Sequence, residues 1–94
     1  METQKEIKLK DGSILPKGLP VGFKDSNTTC LVYSPNREEP YKVRITSAFV
    51  PPSLEELEEW NFDGACETPT GEWVEPDGHG PDGSPSWLLA LGYI

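Results

Sequence analysis

Prolines and glycines interrupt this chain so often that its elements of secondary structure must be short. The 94 residues include ten prolines and nine glycines. Proline has no amide proton to donate to a sheet, and glycine is the usual residue where a tight turn needs a positive φ. A chain of this length forms one small domain with a thin core, burying roughly 60–65% of the surface that its unfolded state exposes. Three tryptophans, three tyrosines and three phenylalanines are available to anchor that core.

The first half of the chain predicts short β-strands. Apolar and polar residues alternate in Ile7–Lys10, and Asp11-Gly12 then supplies a turn. A loop with two prolines follows at 16–20, and a further turn is predicted at Asp25-Ser26-Asn27. The other strands are predicted at Ile14-Leu15, Val21–Phe23, Thr28–Tyr33 and Tyr41–Ile45. Turn signals about every ten residues favour a mainly β fold, and we expect residues 1–50 to form a small antiparallel SH3-like barrel.

The second half, residues 51–94, predicts a helix, a loop and an apolar C-terminal segment that pack with the first half as one domain. Ser53-Leu54-Glu55-Glu56 has the spacing of a capping box, which predicts a helix over 54–61. Leu54, Leu57 and Trp60 would form its buried stripe. A short strand is predicted at Trp73-Val74.

The loop that follows contains Pro-Asp-Gly twice, at 76–78 and 81–83, and each copy is typical of a turn with proline second. Ser84 is predicted to cap a last helical turn that has Pro85 at its N1 position and carries Trp87–Leu91, with Gly92 at its C′ position. This segment is too apolar to lie in solvent. It either completes the core or binds a partner.

Charge is divided unequally between the halves. Residues 1–52 contain all eight cations and six anions, for a net charge of +2, whereas residues 53–94 contain ten anions and no Lys or Arg, for a net charge of −10. Two explanations are open: the acidic half packs beside the basic half, or it presents an acidic face to a basic partner. The overall charge of −8 argues against direct binding to nucleic acid. No apolar run approaches the roughly 18 residues of a membrane span, and residues 1–6 do not resemble a secretion signal.

Metal and thiol chemistry have few candidate residues. The soft ligands are Cys30, Cys66 and His79, at spacings of 36 and 13 residues, and zinc sites favour closely spaced pairs. Cys66 and His79 are the one pair worth considering as weak metal ligands or as an activated thiol. We therefore predict no cofactor and no enzymatic activity.

The C-terminal segment resembles a known group of proteins. Trp73-Val-Glu-Pro-Asp-Gly78 and then Gly83-Ser-Pro-Ser-Trp-Leu-Leu-Ala-Leu-Gly-Tyr-Ile94 look like the end of short, uncharacterised bacterial and phage proteins, which close in Pro-Ser-Trp-Leu-x-x-Leu-Gly. Members carry Cys or His around the Glu-Pro-Asp-Gly loop, which implies a zinc site beginning at Cys66. This chain has Glu72, Gly80 and Asp82 at those places, so the resemblance implies a loop held by packing and turns.

These observations predict a small cytoplasmic, non-enzymatic interaction module or regulator whose partner is a protein with a basic surface. The predicted contact residues are five carboxylates and two apolar anchors: Glu55, Glu56, Glu58, Glu59, Asp63, Trp87 and Leu91. Packing in the core is the competing role for the tryptophans. Two other functions are open: an acidic DNA-mimic-type inhibitor of a nucleic-acid-binding protein, and a degenerate metal-binding or thiol-dependent domain.

Overall fold

A computed structural model describes residues 2–24 and 26–94, so the turn predicted at Asp25 lies partly outside the described residues. The described chain forms seven strands and three helices. The strands are β1 (Ile7–Lys8), β2 (Ile14–Leu15), β3 (Val21–Gly22), β4 (Thr29–Val32), β5 (Tyr41–Arg44), β6 (Cys66–Glu67) and β7 (Trp73–Val74). The helices are α1 (Ile45–Ala48), α2 (Leu54–Asp63) and α3 (Trp87–Ala90).

The strands form three small antiparallel sheets, in the orders β1-β2, β3-β4-β5 and β6-β7. This confirms short antiparallel strands but not the SH3-like barrel, because the described strands do not close into one sheet. Two features keep the sheets apart. Pro16 and Pro20 lie between β2 and β3, where they cannot donate to a ladder. After β5 the chain turns into a helix, so β5 stays at the edge of its sheet.

The strand predicted over Tyr41–Ile45 ends one residue early, and helix α1 was not predicted. Ile45 and Ala48 are both fully buried on α1, so this single turn brings two apolar side chains into the core. Phe49 follows and stacks on Phe23, with the ring centroids 6.0 Å apart. A β-branched Ile-Thr pair favours a strand locally, and burial of the turn overrides that preference.

Helix α2 begins as the capping box predicts. The Ser53 hydroxyl accepts a hydrogen bond from the Glu56 amide at 3.2 Å and donates to the Glu56 carboxylate at 3.3 Å. The helix ends at Gly64, whose φ of 75° is left-handed, so it runs two residues beyond the predicted 54–61.

Only part of the predicted apolar stripe of α2 is buried. Leu57 and Trp60 are 4% and 8% exposed, but Leu54 is 57% exposed. At about 100° per residue, Leu54 lies roughly 90° from the midpoint of the other two, so it falls beyond the edge of the contact.

The C-terminal segment contains both predicted Pro-Asp-Gly turns. The Gly78 amide donates to the Glu75 carbonyl at 2.8 Å, and the Gly83 amide donates to the Gly80 carbonyl at 3.0 Å. In each turn proline is the second residue, as predicted.

Helix α3 is capped by Ser86 and not, as predicted, by Ser84. The Ser86 hydroxyl accepts from the Leu89 amide at 3.1 Å. Ser84 belongs instead to the preceding turn. The predicted Gly92 stop is confirmed: its φ is 79°, its amide donates to Leu89, and the Tyr93 amide donates to Leu88. These two bonds form a Schellman motif.

Side chains from both halves of the chain form one core cluster. Its buried members are Ile7, Leu15, Val21, Cys30, Val32, Ile45, Ala48, Phe49, Leu57, Trp60, Cys66, Trp87, Leu88 and Ala90. The apolar C-terminal segment thus completes the core, which is the first of the two roles that the sequence left open for it.

Candidate functional site

The five carboxylates predicted to bind a partner lie together on α2, and all are exposed. They are Glu55, Glu56, Glu58, Glu59 and Asp63. Leu57 and Trp60 determine which side of the helix faces the core, because they are its buried residues. At about 100° per residue, Glu55, Glu58 and Glu59 point away from that side. We call these three residues, together with Phe62 and Asp63, the acidic helix face.

Phe62 is the residue of this face that sequence reasoning missed. Its side chain is 92% exposed, although it is large and apolar. Glu58 and Glu59 precede it by four and three residues, the separations at which helical side chains are neighbours. A signal was present in the sequence: Phe62 lies about 160° from Trp60 around the helix, so it cannot share a buried stripe with Trp60.

The acidic helix face is electrostatically unfavourable in the free protein. Glu55 and Glu59 are like charges at i and i+4, as are Glu59 and Asp63, and each such pair costs a few tenths of a kcal/mol. The last turn of α2 contains no basic residue to oppose the negative end of the helix dipole. Among residues 2–24 and 26–94 the ion pair is Arg37–Glu39 at 3.9 Å, which lies within the first half. Direct pairing between the two halves therefore does not neutralise this face.

Glu56 differs from the other carboxylates because it serves the fold. It holds the helix cap with Ser53 and lines a cleft of about 290 Å³ together with Trp60, Thr68 and Trp87. We therefore place Glu56 at the margin of the binding surface.

The two predicted apolar anchors do not lie on this face. Trp87 is 4% exposed and belongs to the core cluster. A helix of four residues is not stable alone, so α3 depends on packing its apolar side chains into the core. Leu91 is half-buried and lines a cleft with Thr28, Arg44 and Thr46, on the side of β5. The anchor prediction is thus corrected for Trp87, and Leu91 lies apart from the carboxylates.

Leu88 and Tyr93 of the C-terminal segment lie against another side of α2. With Leu54, Leu57, Glu58 and Asn61 they line a shallow groove of about 170 Å³. Leu54 and Tyr93 are 57% and 55% exposed there. Since Glu58 lies in both the groove and the acidic helix face, the two surfaces are continuous.

The weak metal and thiol candidates are in different surroundings. Cys66 is fully buried and its thiol donates to the Glu67 carbonyl at 3.3 Å, whereas His79 is exposed and its Nε2 lies 2.8 Å from Asn27 Oδ1. Cys30 and Cys66 are both free, and burial raises the pKa of Cys30 to about 11. Within the described part of the chain, no three His, Cys, Asp or Glu side chains cluster as metal ligands would.

The loop around Asp82 is held by hydrogen bonds between side chains. The Asp82 carboxylate accepts from the Ser84 hydroxyl at 2.5 Å, the Ser84 amide at 2.9 Å and the Thr70 hydroxyl at 2.7 Å. Burial alone would raise the pKa of Asp82, but these donors outweigh it and lower the pKa below its usual value. Ser86 adds a hydrogen bond to the Pro76 carbonyl.

Comparison with protein-family models, curated proteins and solved structures finds no match to this chain. The resemblance of its C-terminal segment to short bacterial and phage proteins therefore stays a prediction. No helix in the described residues combines the length and the apolarity needed to cross a bilayer.

Proposed function

We propose that this chain is a non-enzymatic protein-interaction module that binds its partner through the acidic helix face, with Phe62 as the anchor. The observation that carries the proposal is the 92% exposure of Phe62, one helical turn beyond Glu58 and Glu59 on the same face. Burying a phenylalanine side chain is worth about 1.5–3 kcal/mol, and the free protein gains none of it here. A partner that covers Phe62 recovers this free energy.

The charges around Phe62 define the chemistry of the partner. Glu55, Glu58, Glu59 and Asp63 would face lysines or arginines at the rim of an apolar pocket. Relief of the repulsion within α2 would favour the complex further, since a basic rim neutralises both i, i+4 pairs. Electrostatic attraction of this kind acts mainly on the association rate and on the choice of partner.

An exposed aromatic ring on this face favours a protein interface over a DNA mimic. A surface that imitates phosphate spacing needs charge, and Phe62 adds none. Asp82 also turns its carboxylate inward to Thr70 and Ser84, which removes one acidic group from any surface array.

The free, buried thiols are compatible with the predicted cytoplasmic location, where cysteines stay reduced.

Affinity capture with matched variants tests the proposal. Immobilised wild-type protein is compared with Phe62→Ser and with the control Ile14→Ser, which also removes an exposed apolar side chain, 54% exposed on β2. We expect a partner that the wild type and the control retain and that Phe62→Ser loses. A partner set identical for all three proteins would contradict the proposal.

A second pair of variants isolates the charge. Glu55, Glu58 and Glu59 are changed to Gln in one protein, and Glu6, Glu38 and Glu39 in its control, so that net charge changes equally. We expect weaker binding of the captured partner to the first protein only, and a steeper fall of binding with salt for the control. Displacement of that partner by duplex DNA would instead favour the inhibitor of a nucleic-acid-binding protein.

A further inference from the structure

A second surface of opposite charge lies between β1 and β5. Four of the chain's eight cations line a groove of about 480 Å³ there: Lys8, Lys10, Lys42 and Arg44. All four are exposed. Among the described residues none of them forms an ion pair, since the pair present is Arg37–Glu39. Asp11 is the one anion in the groove, and its carboxylate already accepts two hydrogen bonds from Ser13. We call this surface the basic groove.

The wall of the groove formed by β5 is an open sheet edge. β5 is the last strand of the order β3-β4-β5. The Ile45 amide donates to the Thr28 carbonyl, and the register continues through Arg44 opposite Thr29 and Lys42 opposite Leu31. In an antiparallel pair, hydrogen-bonded and non-hydrogen-bonded pairs alternate. The backbone amides of Lys42 and Arg44 therefore point away from β4, toward the groove.

The floor of the groove is apolar. Ile7 is buried, and Leu9 and Val43 are half-buried. An extended chain lying along β5 would project its side chains alternately to opposite faces. One set would reach this floor and the other would reach the cationic rim.

We propose that the basic groove binds an extended acidic peptide segment of a partner protein, which adds to β5 as a fourth strand. Free edge amides provide the main-chain contacts of strand addition, and side-chain pockets provide its selectivity. The gap between β1 and β5 that leaves the fold open is the place that this strand fills. The proposal does not depend on the acidic helix face, which lies on another element.

The overall charge of the chain favours a peptide over nucleic acid in this groove. A net charge of −8 repels a long polyanion, whose affinity comes from many phosphate contacts at once. A short acidic segment engages the four local cations and extends little beyond them.

Fluorescence anisotropy with a labelled peptide of about six residues, alternating glutamate and valine, tests the proposal on the full chain. We expect saturable binding to the wild type, weakened roughly threefold to tenfold in the double variant Lys8→Gln/Lys42→Gln. The control Lys5→Gln/Lys17→Gln removes the same charge outside the groove and should bind as the wild type does. No binding to the wild type, or equal weakening by both variants, would overturn the proposal.

Backbone methylation separates strand addition from simple charge attraction. Methylating alternate amides of the peptide blocks either the edge that faces β5 or the opposite edge. We expect one methylation pattern to weaken binding roughly fivefold or more, and the other to leave it nearly unchanged. Equal affinity of both methylated peptides would overturn the strand geometry. Tighter binding of a single-stranded oligonucleotide than of the peptide would assign the groove to nucleic acid instead.

Discussion

The tripeptide Asp-Gly-Ser occurs twice, at 11–13 and at 82–84, and the two copies adopt the same turn in different surroundings. In each, the aspartate carboxylate accepts from the serine amide at 2.9 Å and from the serine hydroxyl at 2.5 Å. The glycine φ is 89° in the first turn and 85° in the second. Both fit a three-residue hairpin loop, a type I turn closed by a left-handed glycine.

The backbone bonds of the two turns also agree. The amides of Leu9 and Gly80 donate to the carbonyls of Ser13 and Ser84, respectively, at 2.8 Å. The amides of Gly12 and Gly83 donate to the carbonyls of Leu9 and Gly80, respectively, at 3.0 Å. What differs is the environment. Asp11 and Ser13 are exposed, whereas Ser84 is fully buried and Asp82 also accepts from Thr70. The shared Asp-Gly-Ser is thus enough to give the same turn after different preceding residues, and the tertiary contacts determine how much stability depends on it.

The two turns should differ most in the stability that is lost when the aspartate carboxylate is removed. Asp82→Ala leaves the Ser84 and Thr70 hydroxyls without their acceptor in a partly buried place, so we expect a loss of about 1.5–3 kcal/mol in the free energy of unfolding. The exposed counterpart, Asp11→Ala, should lose much less stability than Asp82→Ala, because water replaces most of what the lost bonds contribute. Urea denaturation followed by tryptophan fluorescence measures both. Equal destabilisation of the two variants would refute the difference in environment.

The first position of the turn should give a smaller effect. A Cβ at Gly80 would lie 3.0 Å from the Asp82 carboxylate and 3.1 Å from the Ser84 hydroxyl. We expect Gly80→Ala to cost roughly 1–2 kcal/mol by displacing these groups. In the first turn a leucine occupies the equivalent position, at residue 9. If Gly80→Ala had the wild-type free energy of unfolding, the Asp82 and Ser84 side chains would be able to move aside without loss of stability, contrary to this prediction.

The second position offers a stabilising substitution. Proline occupies it in the second turn, at residue 81, and lysine occupies it in the first, at residue 10. Because the backbones match, Lys10→Pro should stabilise the protein by about 0.4–1 kcal/mol through the entropy of the unfolded chain. Thermal unfolding checks this, with Lys10→Ala as the control for loss of the charge. Destabilisation by proline would mean that the two turns are not equivalent.

Acid should act on both turns through the aspartates. The pKa of each is lowered below 3.8, mainly by the Ser13 hydroxyl for Asp11 and by the donors around Asp82 against the opposing effect of burial. A lowered pKa contributes stability that is fully present above pH 3.8 and is lost as the pH falls through the lowered value. We expect Asp82→Asn to flatten the fall in stability below pH 4 and Asp11→Asn to flatten it less. The pH dependence of the urea midpoint measures this, and identical profiles for the wild type and Asp82→Asn would contradict it.

The same contrast decides which of the two turns a partner can reach. The first turn leaves Lys10 and Asp11 in the wall of the basic groove, where a partner can reach them. The polar groups of the second turn form hydrogen bonds within the protein instead, and Asp82 connects the loop at 81–84 to Thr70.

Sequence reasoning succeeded where hydrogen bonds join residues close in the chain. The Ser53 cap, both Pro-Asp-Gly turns and the Gly92 stop all depend on groups at most five residues apart, and all are present. The clustering of the carboxylates on α2 follows from the helical repeat in the same way. The unequal division of charge between the halves is likewise a property of the sequence.

Only the tertiary structure decided the exposure and the contacts of several other side chains. Leu54 points outward, Trp87 enters the core, and Ser84 joins Asp82 while Ser86 caps α3. The strands form three separate sheets where the sequence predicts one barrel. The edge of β5 is therefore left open, and the basic groove lies beside it. The physical reason is that burial and sheet closure depend on contacts between distant segments. Amphipathic patterns in elements of two to four residues are too short to specify them.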